Sequence, residues 1–195
     1  TARAVNLIAV NTIAKACKRV DAVLIHMSTD YVFDGAANKP YSENSLTNPL
    51  GVYGKSKLQG ENAIKDSGCK FVIIRTSWLF SKYGNNFLKT MVRLASSNKI
   101  IKVVSNELGC PTYVPDLAKA IVSIFNFVQK KEFKSGFYHF SGSVVCSWYD
   151  FAEKIFFYAN KVGFQLPETV LPINSADYKT LARRPYYSVL DNKKF

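Results

Sequence analysis

No uninterrupted apolar run approaches the roughly 18 residues of a membrane span, and the first residues, TARAVNLIAVNTIAKACKRV, lack the compact apolar block of a signal peptide. A soluble, cytoplasmic protein with no membrane partner is expected. Cysteine is sparse. Cys17, Cys69, Cys110 and Cys146 lie far apart without C-x-x-C spacing, and the two histidines, His26 and His139, have no cysteine or carboxylate at ligand spacing. Free thiols and no metal follow. Nor does Gly-x-x-Gly-x-x-Gly occur anywhere, so these residues hold no phosphate-gripping glycine turn of that kind. Acidic residues are also few, 14 against 26 Lys and Arg, for a formal net charge of +12. Such an excess suits nucleic acid, an anionic membrane surface or anionic small ligands. The cations are scattered, with short doublets at Lys130-Lys131 and Lys193-Lys194, which excludes a nucleic-acid stripe and leaves the small ligands.

With 48% hydrophobic and 14% aromatic residues in 195, the chain has apolar material for one sizeable core and a small appended lobe. Arg3 to Val20 sets Val5, Ile8, Ala9, Ile13, Ala16 and Cys17 in the i, i+3, i+4 rhythm of an amphipathic helix. Ala22 to Ser28 and Lys70 to Thr76 are apolar runs fit for buried parallel strands, and ligands bind beyond the carboxyl ends of such strands. The loop Asp34 to Asn48 has turn residues and no periodicity, and is expected to run over a site rather than through the core. A helix is expected over Leu50 to Ser67, with Asn48 capping, Pro49 in its first turn and Gly68 stopping it. Helices at Asn85 to Ser97 and Pro115 to Lys131 flank a strand at Ile100 to Val104, and the second should bury Leu117, Ile121, Ile124, Phe125 and Val128. This alternation predicts the α/β class, a Rossmann-like doubly wound parallel sheet. From Gly136 the chain becomes more aromatic and less regular: a strand Phe137 to Phe140, a helix Ser147 to Lys161, then the Pro-punctuated stretch Leu166 to Tyr187. The expected division is 1–135 for the sheet domain and 136–195 for a small lobe.

Tyr53 and Lys57 stand four apart on the expected helix, so they project side by side. A free phenol holds its proton too tightly for efficient exchange at neutral pH. Lowering its pKa by roughly 3 units takes about 4 kcal/mol, which an ammonium at about 4 Å supplies at an effective dielectric near 20. The pair therefore reads as an acid-base device, provided that its surroundings agree.

Those surroundings are longer strings: STDYVFDG from Ser28, PLGVYGKSKLQGE from Pro49, RTSWLF from Arg75, GNNF from Gly84, GCPTYVPDLA from Gly109 and RRPYYSVLD from Arg183. Together they resemble the dTDP-4-dehydrorhamnose reductase family of extended short-chain dehydrogenase/reductases over almost the whole chain. The resemblance implies reduction of the 4-keto group of a dTDP-linked sugar by NADPH or NADH, with 1–135 as part of the cofactor-binding domain and 136–195 as the substrate lobe. It implies Tyr53 as the acid, Lys57 as the residue that lowers its pKa and holds the nicotinamide ribose, and Thr29 as the hydroxyl beside them or a turn former. Met27, Thr76 and Ser77 join Tyr53 and Lys57 on the cofactor side. On the substrate side stand Thr29, Asp30 (sugar acceptor or Asx turn), Trp78 (stacking face or core filler), Asn86 and Arg184. A homodimer is compatible with this reading. Some members bind a divalent ion through glutamates, and Pro115 stands where one of those carboxylates is expected, so no metal is assigned.

A dehydratase of the superfamily needs an Asp-Glu pair after the Thr, and this chain has Asp30-Tyr31. An epimerase uses the same Tyr-Lys pair, and the regulatory subunit of methionine adenosyltransferase keeps it without catalysis; STDYVFDG, RTSWLF, Trp78 and GNNF favour the reductase. Because the sequence opens inside a helix, without Met and without the glycine turn, it is expected to be part of a longer protein and inactive by itself.

Overall fold

The computed structural model describes residues 2–130, 132–178, 180 and 182–195. A π-helical stretch, Ala4–Ala9, runs without a break into α1 (Val10–Arg19). Strand β1 (Val23–Thr29) follows, then a single 3-10 turn (Asp30–Val32) and α2 (Val52–Asp66). Next come β2 (Lys70–Thr76), β3 (Leu79–Phe80), α3 (Phe87–Ala95), β4 (Ile100–Val104), β5 (Leu108–Gly109) and β6 (Thr112–Tyr113). The chain continues through α4 (Val114–Gln129), β7 (Gly136–His139), β8 (Cys146–Ser147), α5 (Trp148–Lys161), β9 (Thr169–Ile173) and a last 3-10 turn (Ser175–Asp177).

β1, β2 and β7 form one parallel sheet in that order, the arrangement expected of β-branched runs covered by helices on both faces. On one face, Val10 and Ala14 of α1 pack with Ile64 of α2 and Ile73 of β2. On the other, Leu117 and Ile124 of α4 pack with Val72 and Ile74. A second core lies between α3 and α5, where Met91, Ala95, Ile155 and Phe156 close over Ile101 and Val103 of β4.

Several expectations change in detail. The first helix is part π-helical, and its wider turns shift the phase of the apolar face, so Val10 and Ala14 are buried while Val5, Ile8 and Ile13 face out. Asn48 does not cap α2; its N–H donates to the Val32 carbonyl, and Gly51 in extended backbone takes the cap position. Gly68 does stop that helix, in the left-handed conformation open to glycine. The segment Asp34 to Asn48 is not confined to the surface: Tyr41 stacks on Phe33 at 4.3 Å and is buried with Val32 and Leu190. Phe125 of α4 is exposed, because it lies off the Leu117–Ile124 stripe. The expected C-terminus of that helix, Lys131, lies outside the described residues.

Two strands also sit differently. β4 leaves the main sheet and pairs in parallel with β9, inside the stretch read as irregular because Pro172 interrupts it. The strand assigned to the small lobe, β7, is the third strand of the main sheet, with Val72 opposite Gly136 and Arg75 opposite His139. Among the described residues no helix is long and apolar enough to cross a membrane, all four cysteines are free, and no group of three or more His, Cys, Asp or Glu side chains could hold a metal ion.

One ion pair lies inside this packing. Arg75 of β2 grips Glu61 of α2 with two parallel bonds, Nε to Oε1 at 2.9 Å and Nη2 to Oε2 at 2.7 Å, and both side chains are buried. The guanidinium also lies over the rings of Phe33 and Phe137. Removing one partner strands the other charge in a low dielectric, at a cost of about 3–5 kcal/mol. Glu61→Ala should therefore lower the urea unfolding midpoint by that much stability with an unchanged slope; an unmoved midpoint would show that the pair adds nothing to the fold.

Candidate active site

The parallel register of β1 and β2 sets Thr29 directly opposite Thr76, so the two strands end side by side. One chain turns off into the 3-10 turn, the other into Ser77 and Trp78. Between them opens a cleft of about 240 Å³, lined by Ser28, Thr29, Asp30, Tyr31, Thr76, Ser77 and Leu79, with Tyr53 from α2 and the indoles of Trp78 and Trp148. α2 approaches closely because Gly54 has no side chain: a Cβ there would collide with the Tyr31 carbonyl oxygen.

Tyr53 is half exposed at the mouth and meets Tyr31 edge-on, ring centroids 6.0 Å apart. Its phenol pKa is raised, first by partial burial and then by the nearby Asp30, while a hydrogen bond with the Thr29 side chain pulls it down. Lys57 lies one turn further on. Its ammonium donates to the Met27 carbonyl at 2.6 Å and stands 3.4 Å from His26 Nε2. Burial lowers the Lys57 pKa, with Glu61 opposing. Lys57 is thus anchored to the end of β1. His26 is pushed down to about 4 by burial and by Lys57, so it faces the ammonium as a neutral ring.

Asp30 is buried below Tyr53. Thr29 Oγ1 donates to its Oδ1 at 3.0 Å and accepts from the Tyr31 N–H, as an ST turn does. Burial raises the Asp30 pKa to about 7 against the hydrogen bonds from Thr29 and Ser188. Across the cleft, Trp78 has φ +47°, a left-handed backbone that is unusual for a bulky residue. Its indole stacks on Trp148 at 3.4 Å and 5°, and rests against Gly109, where any Cβ would collide with the ring.

The model of the RmlD substrate binding domain matches residues 1–195, the whole chain. This chain belongs to that family. It is 45% identical to the dTDP-4-dehydrorhamnose reductase of Aggregatibacter actinomycetemcomitans over 197 residues, all of this chain and 67% of that protein. To the enzyme of the same name from Escherichia coli (strain K12) it is 40% identical over 195 residues, all of this chain and 65% of that protein. Among solved structures, dTDP-4-dehydrorhamnose reductase from Bacillus anthracis str. Ames in complex with NADP superposes with a TM-score of 0.87 at 41% identity, over 96% of this chain and 63% of that one. The chain thus spans about two thirds of the length of the curated relatives it matches. Its fold is the Rossmann-like α/β arrangement of the RmlD relatives.

Within this RmlD fold the residues singled out in the sequence separate into those at the cleft and those apart from it. Thr29, Asp30, Tyr53, Thr76, Ser77 and Trp78 line one cleft. Met27 reaches the site only through its carbonyl, its side chain packing under the sheet. Ser77 donates to the Cys110 carbonyl. Asn86 is elsewhere: it caps α3 by accepting from the Lys89 N–H, and its amide donates to the Ser81 and Tyr83 carbonyls. Arg184 lines a neighbouring polar hollow of about 440 Å³ with Glu107 and Arg183. Tyr31 and Trp148 were missed. Tyr31 sits inside the STDYVFDG string, whereas no spacing links Trp148 to Trp78, 70 positions away; only the fold joins them.

Three buried polar atoms at this cleft, Ser28 Oγ, Thr76 Oγ1 and Asp30 Oδ2, have no hydrogen-bond partner among the described residues. Buried polar groups are nearly always satisfied, so the unpaired set fits a polar ligand at the strand ends, including the ribose-amide end of a nicotinamide cofactor. The glycine turn that would hold its pyrophosphate is not among these residues.

The buried Asp30 also predicts a pH effect. Its native pKa of about 7 exceeds the ordinary 3.8, so between those values the folded state binds the proton more tightly and stability falls as pH rises. His26 and His139, both lowered to about 4, act in the opposite sense, losing stability as pH falls from 6.5. The difference between wild type and Asp30→Asn isolates the carboxyl. The variant should gain stability relative to wild type as pH is raised through this window and hold that gain above it; equal stability at all pH would mean that Asp30 is not desolvated.

Proposed function

We propose that the protein reduces the 4-keto group of a dTDP-linked 6-deoxy sugar, dTDP-4-dehydrorhamnose to dTDP-L-rhamnose, with NADPH or NADH, in the making of cell-surface polysaccharide precursors. The observation that carries this is the half-exposed Tyr53 phenol above Thr29 and the buried Asp30, at the paired ends of two parallel strands. The names of the relatives, and the NADP in one of them, support the same reading. Cytoplasmic location accords with these substrates.

When bound, the reduced nicotinamide supplies the hydride. The protein's own residues act on the oxygen of the carbonyl. Tyr53 donates its proton there as negative charge develops, beside the Thr29 side chain, which pulls the phenol pKa down. Lys57, already short of water and tied to the Met27 carbonyl, adds positive charge on the same helix face one turn away and offers a donor to the cofactor ribose. Thr76 and Ser28 bring unpaired hydroxyls to the cofactor side, and Asp30 Oδ2 brings an unpaired acceptor for sugar hydroxyls. Trp78 closes the far wall, and Arg184 in the adjoining hollow suits the diphosphate through its bidentate fork.

The test is cofactor oxidation by the protein expressed from its complete reading frame, with a dTDP-4-keto-6-deoxy sugar as substrate. Tyr53→Phe should lower kcat by at least about 100-fold and leave KM nearly unchanged. Unchanged kcat would remove Tyr53 from the mechanism. No oxidation by the wild type, with capture of a methionine adenosyltransferase catalytic subunit instead, would favour the regulatory reading.

A further inference from the structure

The chain has two tryptophans, and the fold stacks them on each other at the cleft. Trp78 is in a left-handed backbone conformation, which costs of order 1–3 kcal/mol and persists only where the surroundings over-determine it. Its carbonyl is fixed by the Thr112 N–H at 3.0 Å, and its ring by Gly109. The remaining constraint is Trp148. That indole is itself held on three sides: by Trp78, by Phe87 at 4.6 Å, and by its own N–H, which donates to Glu107 Oε2 at 3.2 Å. Glu107 is buried and lies outside the cleft lining, in the hollow that also holds Arg184.

A buried carboxylate is costly unless it is paired; Arg184 in the same hollow offsets that cost, and the Trp148 indole, which reaches the cleft wall, gives Glu107 a hydrogen bond of fixed direction. We propose that Trp148 is a specificity-determining wall of the substrate cleft, and that Glu107 is the positioning residue that holds its ring against Trp78. This rests on the nucleotide-sugar reading given above and deepens it. The polar side of the cleft, Thr29, Asp30 and Tyr53, grips hydroxyl and carbonyl oxygens, while the Trp78–Trp148 pair offers the apolar surface on which the C–H face of a sugar packs. Loss of the Glu107 bond frees the Trp148 ring to rotate, and the loosened pair then binds the sugar less well without altering the proton donor.

Two stacked indoles give an exciton couplet in far-ultraviolet circular dichroism, so the stack is read independently of activity. In the protein from the complete reading frame, Trp148→Leu should raise KM for the dTDP-4-keto-6-deoxy sugar about tenfold with kcat within about threefold of wild type. Glu107→Leu should do the same and abolish the couplet. Glu107→Gln, whose amide oxygen still accepts from the indole, should restore both. An unchanged KM in Trp148→Leu, a kcat that falls while KM stays, a couplet that survives Glu107→Leu, or a Gln variant that behaves like Leu overturns the proposal. Should Trp148→Leu not fold, the Glu107 pair decides alone, since neither variant removes an indole. If the wild type does not turn over the sugar, the functional reading fails and the wall is judged by equilibrium binding of dTDP-glucose: affinity about tenfold weaker in Glu107→Leu and regained in Glu107→Gln supports it, and equal affinity or no binding overturns it.

Discussion

The buried pair between Glu61 and Arg75 fixes how α2 lies on the sheet, and the candidate site depends on that placement. Tyr53, Lys57 and Glu61 are spaced four apart, so they form one stripe along the helix. This stripe faces the strands, where apolar residues would ordinarily sit. Glu61 locks to Arg75 on β2, Lys57 to the Met27 carbonyl on β1, and Tyr53 emerges where the strands end. A helix with an apolar inner face could rotate or slide by a fraction of a turn at small cost. One held by a bidentate ion pair cannot, because the guanidinium fork accepts the carboxylate in a single geometry.

The same low-dielectric interior that makes this clamp directional sets the ionisation of everything near it. His26 and His139 are driven neutral, Asp30 is raised to about 7, and Tyr31 to about 12, burial leading in each case. Burial lowers the Lys57 pKa as well, with Glu61 opposing. Its ammonium is tied to the Met27 carbonyl, and the Thr29 side chain acts on the Tyr53 phenol.

Much of this was legible in the sequence because it is local. The strands Lys70–Thr76 and Ile100–Val104 were bounded to the residue by their apolar runs, and the helix read from Ser147 to Lys161 is α5, with Ser147 as its cap. The helix i, i+4 rule placed Tyr53 and Lys57 on one face. What stayed hidden depends on partners distant in the chain. Asn6 in the π-helical opening donates to Ser56, 50 residues on. β4 pairs with β9 across a proline that masks a strand. Asn86 looked like a ligand residue within GNNF, and only the arrangement of Ser81, Tyr83 and Lys89 shows its amide fully engaged as a cap. The direction of the Lys57 side chain was likewise out of reach, because helix spacing fixes where a side chain starts and tertiary contacts fix where it ends.

A double-mutant cycle on Glu61 and Arg75, scored for both unfolding free energy and turnover, tests the claim that this clamp positions the site. Glu61→Leu and Arg75→Met alone should each lose stability and kcat/KM together. Combined, they leave no buried charge, so stability should recover to within about 1–2 kcal/mol of wild type and turnover should rise with it as α2 reseats. Single variants that unfold more easily yet keep wild-type turnover would contradict the account, because Tyr53 and Lys57 would then hold their positions without the clamp.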